Sequence, residues 1–318
     1  MRKFIIKIFT AVVLVSLVFI SCATTGSAAD PLVSWSNVTN PRFGTSYIRA
    51  MFFDGEKFIA AGDRGAMAYS TDGVSWTNVN SAFDGVRIQS IAYGNGVYVA
   101  VGDNSKASFS SDGMEWTAIN AFPIEKILVV HFANNIFVAG GSGGVIATSQ
   151  DGQRWTAVRN STFGENDINA LAWGDGKFVA VGTGARAAHS DDGINWTAIE
   201  NSGFGRNVSI NAIVHDGQGI FAAGGSAGEA AYSNDGINWT SVRSNPRVFD
   251  NKDIRRMAYG NGKFITGGAG GIIAQSEDGM NWEAVRYSFE DRLILAIAYG
   301  NGRFVIGGMD GKMAFSLF

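Results

Sequence analysis

INALAWGDGKFVAVGTGARAAHSDDGINWTAI, residues 168–199, is the stretch of sequence that decides the fold. Its features recur along the chain: an isoleucine, an apolar run, a Gly-x-Gly turn, a second apolar run, and then Ser-x-Asp-Gly-x-x-Trp. Successive copies begin 40, 39, 41, 42, 44 and 40 residues apart. They begin at Ile48, Ile88, Ile127, Ile168, Ile210, Ile254 and Ile294. Repetition at such a period indicates a repeat architecture.

Each copy predicts four short β-strands. Gly-Asp-Gly at 174–176 supplies the left-handed residues that close a tight hairpin. The second strand, FVAV at 178–181, is apolar at consecutive positions, so both of its faces are expected to be covered. No segment has a sustained helical period. The sequence therefore predicts an all-β chain.

The two ends of the chain indicate how the repeats close. The chain begins its repeats with a lone tryptophan strand, LVSWSNV at 32–38, and its last copy stops at AFSLF, 314–318, before a tryptophan strand of its own. Four strands per copy with both faces covered are typical of a propeller blade. We therefore predict a seven-bladed β-propeller of four-stranded blades over 32–318, closed by the N-terminal strand that completes the last blade.

A short motif ends six of the copies. It reads STDGVSW (70–76), SSDGMEW (110–116), SQDGQRW (149–155), SDDGINW (190–196), SNDGINW (233–239) and SEDGMNW (276–282). The motif resembles the Asp-box, or BNR, repeat of sialidases, some glycan-degrading enzymes and non-enzymatic propellers such as photosystem assembly factors, with one residue fewer between Asp and Trp.

The resemblance covers residues 31–318 and implies the propeller fold, of the non-catalytic type, with the boxes on outer hairpins remote from the active face. The box carboxylates are predicted to be structural, each accepting backbone N–H groups across its own turn. They are Asp72, Asp112, Asp151, Asp192, Asp235 and Asp278.

The N-terminus has the pattern of an export signal. Basic residues precede an apolar run of 13 residues at 8–20, which is too short to span a bilayer and suits a signal peptide. The single cysteine follows at once, and Phe19-Ile20-Ser21-Cys22 resembles a bacterial lipobox, whose thiol receives a lipid. The resemblance implies a signal peptide at 1–21 and a lipidated linker at 22–31.

This assignment predicts a lipoprotein of the bacterial cell envelope, anchored in the membrane on the periplasmic face or at the cell surface. The alternative is cleavage after Ser27-Ala28-Ala29, which would remove Cys22 and release a secreted protein. Removing residues 1–21 takes away three basic and no acidic residues, so the net charge falls from −3 to −6.

Composition limits the classes of partner. An acidic chain gives no general basis for binding nucleic acid, and one cysteine excludes a disulfide framework or a multi-cysteine zinc site. The three histidines lie in different repeats, so we predict no metal and no cofactor.

The sequence motif of sialidases, Arg-Ile-Pro, is absent from the chain. Loop acids leave a two-carboxylate glycosidase open as an alternative, but the sequence favours a protein without enzymatic activity.

A phenylalanine precedes each starting isoleucine, by six residues in one copy and by five in the others. These residues are Phe43, Phe83, Phe122, Phe163, Phe204, Phe249 and Phe289. Such regularity favours packing between blades over a ring for ligand stacking.

The start of each first strand is expected to line the central mouth, where residues vary between copies. The candidate ligand-binding residues there are Tyr47, Arg49, Arg87, Lys126, Arg255, Arg256 and Arg292. A basic mouth would attract an anionic ligand or an acidic partner segment. The other interpretation is that these cations pair with neighbouring acids. We predict a binding or scaffolding module for a protein or glycan; the alternatives are a glycan-directed hydrolase, sialidase-like or two-carboxylate, and a surface adhesin.

Overall fold

The computed structural model describes residues 34–120, 122–242, 246–285, 287 and 289–317. The described residues form seven antiparallel sheets of four strands each, which confirms the predicted seven-bladed propeller. The predicted signal peptide, the linker and Cys22 lie outside the described residues. Within the described part, no helix is both long enough and apolar enough to cross a membrane.

The strands are β1 (Ser34–Asn37), β2 (Ile48–Phe53), β3 (Phe58–Gly62), β4 (Ala66–Ser70), β5 (Thr77–Asn80), β6 (Ile88–Gly94), β7 (Val97–Gly102), β8 (Ala107–Ser110), β9 (Thr117–Ile119), β10 (Ile127–Ala133), β11 (Ile136–Gly141), β12 (Ile146–Ser149), β13 (Thr156–Ala157), β14 (Ile168–Gly174), β15 (Lys177–Gly182), β16 (Ala187–Ser190), β17 (Thr197–Ala198), β18 (Ile210–His215), β19 (Phe221–Gly225), β20 (Ala230–Ser233), β21 (Trp239–Ser241), β22 (Ile254–Gly260), β23 (Lys263–Gly268), β24 (Ile273–Ser276), β25 (Glu283–Ala284), β26 (Ile294–Gly300), β27 (Arg303–Gly308) and β28 (Met313–Leu317).

Blades 1 to 6 each consist of four consecutive strands, beginning with β2–β5. A single-turn helix, α1 (Pro246–Phe249), lies in the long connection from blade 5 to blade 6. Short 3₁₀ turns join the second and third strands of six blades. They span Asp63–Gly65, Ser142–Gly144, Thr183–Ala185, Ser226–Gly228, Ala269–Gly271 and Met309–Gly311.

The N-terminal strand closes the ring as predicted. Strand β1 pairs antiparallel with β28, from Ser34 opposite Leu317 to Asn37 opposite Ala314, so blade 7 has the order β1-β28-β27-β26. Blade 7 also contacts blade 1, because the Asn301 amide donates a 2.8 Å hydrogen bond to the Thr71 carbonyl. The first and last segments of the chain therefore share one sheet, which leaves no open end in the ring.

The hydrophobic core lies between blades. Every residue of β3 is buried; Phe58 packs in a cluster with Val305 of blade 7, and its neighbour Ile59 packs with Ile88 of blade 2. Successive side chains of a strand point to opposite faces, so each second strand supplies both of its neighbours. This arrangement explains why the second strands are apolar at consecutive positions.

The repeated phenylalanines belong to these cores. Phe83 and Phe289 are fully buried, and Phe204 is only partly buried. Phe83 lies in one cluster with Ile59 of blade 1 and Ile88 of blade 2. The prediction of packing between blades is confirmed at these positions.

The propeller has two different faces. First-to-second strand hairpins and third-to-fourth strand turns lie at one end of the blades, which we call the hairpin face. At this face the Asn95 amide of blade 2 donates to the Gln150 carbonyl of blade 3, at 3.4 Å. The 3₁₀ turns and the blade-to-blade connections lie at the other end, which we call the mouth face because each first strand starts there.

Candidate functional site

Every first strand has a β-bulge near the mouth face. In blade 1, Ile48 pairs with Gly62 and Ala50 with Ala61, so Arg49 is the extra residue. A bulge changes the direction in which a side chain points and is common beside binding sites. The bulged residues of the seven blades are Arg49, Gln89, Leu128, Asn169, Asn211, Arg255 and Leu295.

A cavity of about 210 Å³ lies on the propeller axis and is lined by residues from all seven first strands. Its polar lining residues are Arg49, Gln89, Ser90, Asn169, Asn211 and Arg256, and the others are Ala, Val, Leu, Ile and Met. Among the described residues that line it, none is Asp or Glu. The cavity therefore combines apolar walls with amide donors and two guanidinium groups.

Arg256 occupies a position of blade 6 at which the other six blades have a different type of residue. It stands opposite Gly267, one position after the bulge. The equivalent residues are all small or apolar: Ala50, Ser90, Val129, Ala170, Ala212 and Ala296. A single long cationic side chain thus occupies a layer of the channel that the other blades leave open.

The guanidinium of Arg256 has no carboxylate partner among the residues that the structure describes. Its Nη1 donates to the Arg255 carbonyl at 2.8 Å. Burial, followed by the like charges of Arg255 and Arg49, lowers the pKa of Arg256 to about 10, so the group is still a cation at neutral pH. A partly buried cation without a carboxylate partner favours the arrival of an anion.

Arg49 and Arg87, by contrast, are neutralised within the protein. Both guanidinium groups bind Asp63: Arg49 through Nε and Nη2, and Arg87 through Nε at 2.8 Å. Arg87 also reaches Asp103 Oδ2 at 3.2 Å, and Gln89 donates to Asp103 Oδ1 at 2.9 Å. Although burial opposes ionisation, the bonds and charges of the two arginines hold the pKa of Asp63 below its ordinary value.

The remaining mouth candidates divide in the same way. Arg255 binds Asp253 at 2.7 Å, and Arg292 binds Asp310 at 3.0 Å and also Glu290. Lys126 is exposed and has no ion-pair partner among the described residues. The ring of Tyr47 lies beneath the Arg49 guanidinium, 5.6 Å from its centre.

Four of the predicted mouth arginines are thus paired with acidic residues. This agrees with the alternative interpretation of the sequence, in which the mouth cations pair with neighbouring acids. The signal for two of these pairs was present, since Asp63 and Asp103 directly follow the glycine that ends a second strand. The exceptional place of Arg256 was visible in the aligned repeats but was not recognised there.

Two amides brace the channel wall next to Arg256. The Asn169 amide in blade 4 donates to the Ile210 carbonyl in blade 5, and the Asn211 amide in blade 5 donates to the Ile254 carbonyl in blade 6, both at 2.9 Å. These bonds join three neighbouring first strands at their mouth ends. They hold the backbone two residues before Arg256 in a defined position.

The Asp-Gly-x-x-Trp turns are built by local hydrogen bonds. Asp72 Oδ1 accepts the backbone N–H groups of Val74 and Ser75, at 2.8 and 2.7 Å, and the Ser70 hydroxyl at 2.9 Å. Gly73 has φ +74°, and a Cβ there would lie 2.8 Å from the Val305 side chain of blade 7. The turn therefore needs glycine both for its backbone angle and for its contact with the preceding blade.

The carboxylate bonds recur at Asp112, Asp151, Asp192, Asp235 and Asp278. All six turns lie at the hairpin face, in six different blades, so their carboxylates do not converge on one site. Within the described residues, no group of three or more His, Cys, Asp or Glu is arranged to hold a metal ion.

The box carboxylates make stability depend on pH. Despite opposing burial, backbone N–H bonds lower the pKa of Asp72, Asp192 and Asp235 to about 2. A carboxyl whose pKa is lowered by folding stabilises the folded state above its unfolded pKa, and this contribution disappears as pH falls through the folded value. We expect the D72N/D192N/D235N variant to unfold at a lower temperature than wild type at pH 7 and to lose less further stability from pH 4 to pH 2.

Thermal melts at several pH values measure this difference, and the exposed, neighbouring Asp191→Asn is the matched control. Parallel losses of stability in wild type and the triple variant between pH 4 and pH 2 would contradict the assignment.

No protein-family model matches the chain, and no curated protein sequence matches it. Solved propellers are similar in fold. A structure described as YCF48 bound to D1 peptide is 17% identical with a TM-score of 0.71, over 91% of this chain and 98% of that one. YCF48 from Cyanidioschyzon merolae is 19% identical with a TM-score of 0.68, over 89% and 98%. Virginiamycin B lyase from Staphylococcus aureus is 10% identical with a TM-score of 0.73, over 90% and 99%. At these identities the likeness concerns the fold alone.

Proposed function

We propose that this propeller is an exported, lipid-anchored binding module that holds an acidic group of a protein partner in its central channel. The observation that carries the proposal is Arg256, a cation without a carboxylate partner among the described residues, in a channel layer where six blades have small or apolar residues. The lipid at Cys22 and the cell-envelope location belong to the proposal and rest on the N-terminal sequence.

The size of the cavity suits one group rather than a folded segment. A volume of about 210 Å³ is smaller than the usual pocket for a drug-sized ligand, which begins near ~300 Å³. It accommodates the carboxylate of an Asp or Glu side chain or of a chain terminus, presented by a partner that rests on the mouth face. The amides of Gln89, Asn169 and Asn211 line the same cavity, but they already donate to Asp103, Ile210 and Ile254, so Arg256 is the donor that we assign to the anion.

The charges around the channel favour binding of a single anion at Arg256 and do not make the whole mouth basic. Because Arg49, Arg87, Arg255 and Arg292 already have acidic partners, their fields are largely compensated. A single partly buried guanidinium can donate a charge-assisted hydrogen bond to an anion, and such a bond is stronger than a neutral one. We therefore assign Arg256 the principal role and the paired arginines a structural role.

A protein partner is favoured over a glycan by the chemistry of the lining, since its described residues include no aromatic side chain against which a sugar ring could stack. The similar YCF48 structure holds a D1 peptide, which supports a peptide-type ligand by analogy of fold. The lining also has no Asp or Glu among its described residues, whereas a two-carboxylate hydrolase would need a pair.

Titration of fluorescein-labelled hexaglutamate into the protein tests the proposal, with hexaserine and hexalysine as comparisons. We expect saturable binding of hexaglutamate only, weakened by added salt. Arg256→Gln should reduce the affinity roughly 10- to 100-fold, because a hydrogen bond to a charged group contributes about 1.5–3 kcal/mol.

The control is Arg186→Gln, which removes an exposed cation from the mouth face outside the channel. Equal losses of affinity in the Arg256 and Arg186 variants, or no binding of hexaglutamate by wild type, would contradict the proposal.

A further inference from the structure

We propose that the hairpin face of the propeller lies against the lipid surface and that the mouth face points away from it. This inference rests on the proposed lipid anchor at Cys22, but it concerns a different surface from the channel. Two features of the hairpin face support it: exposed apolar side chains and the place where the N-terminal chain joins the propeller. The charge of the face then determines which lipids it accepts.

The exposed large apolar side chains of the described residues all lie at the hairpin face. They are Met114, Ile194, Ile237 and Leu317, with 44, 49, 37 and 48% of their surface exposed. The first three occupy one structural position, the residue after Asp-Gly in the third-to-fourth strand turn. Val74 and Met280 occupy the same position and are partly exposed.

The residue after Asp-Gly therefore occurs in six turns around the rim of the hairpin face, and its side chain is apolar in five of them. The exception is blade 3, where Gln153 occupies it. Side chains of this kind at turn tips can enter the interface between lipid headgroups and acyl chains, where apolar surface is buried while the backbone stays hydrated.

The N-terminal chain joins the propeller at the same face. Strand β1 begins with Ser34 opposite Leu317, and Leu317 is at the hairpin-face end of β28. Residues 22–33 connect a lipid at Cys22 to this point, and twelve residues span at most about 43 Å when fully extended. A lipid anchor at Cys22 would keep the start of β1, which is at the hairpin face, within about 43 Å of the bilayer.

Charge on the hairpin face decides which lipids it accepts. The hairpins and turns of this face, taken between the strand bounds, contain thirteen Asp or Glu and two Lys or Arg, a net charge of −11. An anionic bilayer would repel this face, whereas a zwitterionic bilayer would not. The lipid chain attaches the protein to the bilayer, so the apolar turn residues need only orient the propeller. We infer that they orient it on a bilayer of zwitterionic lipid.

This orientation gives the mouth free access to its partner. The connections between blades and the opening beside Arg256 lie at the end of the strands opposite Ser34. A partner can therefore reach the channel from the aqueous side without competing with the membrane.

Depth-dependent quenching on the full lipidated chain tests the proposal. A lipidated Cys22 has no free thiol, so bimane can be attached at an introduced cysteine, Ile194→Cys at the hairpin face or Arg186→Cys at the mouth face. Both parent side chains are exposed. In phosphatidylcholine vesicles with spin-labelled lipid, we expect at least threefold stronger quenching at position 194 than at 186.

Adding phosphatidylglycerol to the vesicles should reduce quenching at 194, and salt should restore it. The Ile237→Asn change in the 194-labelled protein should also reduce quenching, with Asn234→Gln, at an exposed position of the same turn, as control. Equal quenching at the two positions, or stronger quenching at 186, overturns the orientation.

Failure of the anchor is a separate outcome. If mass spectrometry finds no lipid on the chain and the protein does not enter vesicles, the orientation proposal is overturned together with the anchor. Hexaglutamate binding in solution does not depend on the lipid, so the channel assignment would stand or fall on its own titration.

Discussion

Removal of residues 32–37 is expected to abolish cooperative folding of the propeller. The deletion leaves blade 7 with three strands and exposes the edge of β28, which pairs with Ser34–Asn37 along its length. It also removes Trp35, whose side chain is 9% exposed and packs in one cluster with Phe304 and Ala314. Both the core between blades 6 and 7 and the closure of the ring depend on these contacts.

A full-length variant keeps this prediction testable if the deleted chain cannot be purified. Trp35→Ala should cost about 3–5 kcal/mol, the usual range for a buried tryptophan. For a domain of this size such a loss lowers the melting temperature by roughly 10 °C. Circular dichroism melts measure it, and Ser34→Ala, at an exposed position of the same strand, is the control. An unchanged melting temperature in Trp35→Ala would contradict the contribution that we assign to the packing of β1.

Charge reversal at Arg256 is expected to have the largest effect on binding. Arg256→Glu removes the cation that we assign to the partner's carboxylate and places an anion in the same cavity. Loss of the charged hydrogen bond contributes about 1.5–3 kcal/mol, and repulsion adds to it, so affinity for hexaglutamate should fall by more than about 100-fold. Binding of hexalysine should appear.

Arg186→Glu changes the net charge of the mouth face by the same amount but lies outside the channel, and it should lower hexaglutamate affinity by less than about threefold. Equal effects of the two reversals would mean that the anion responds to the general field of the face rather than to Arg256. Melting curves should accompany both variants, since a glutamate in the cavity can lower stability as well as binding.

Much of the fold was predictable because short segments of sequence specify each blade and these segments recur along the chain. A Gly-x-Gly hairpin, an apolar second strand and an Asp-Gly turn define a blade from residues close in sequence. The phenylalanines before each first strand were correctly placed between blades for the same reason. Ring closure followed from the count of tryptophan strands at the two ends.

The electrostatics of the mouth were less predictable. Arg49 and Arg87 are 14 and 24 residues from Asp63, in two different blades, and no local pattern states that all three groups meet. A count of the basic residues near the mouth therefore overestimated its positive charge, because most of these residues are paired with acids. The hairpin face was missed for a related reason, because Met114, Ile194 and Ile237 are ordinary turn residues until the fold places them on one rim.

The sequence by itself determined the all-β class, the seven blades, the closing strand and the residues that build each turn, since these depend on short-range backbone geometry and on apolar periodicity. Only the tertiary structure decided which arginines are neutralised, that Arg256 stands in the channel layer that the other blades leave to small or apolar residues, and that the apolar turn tips share a face with the start of β1. Charge pairing and surface patches depend on distances between blades, and these distances exist only once the ring has closed.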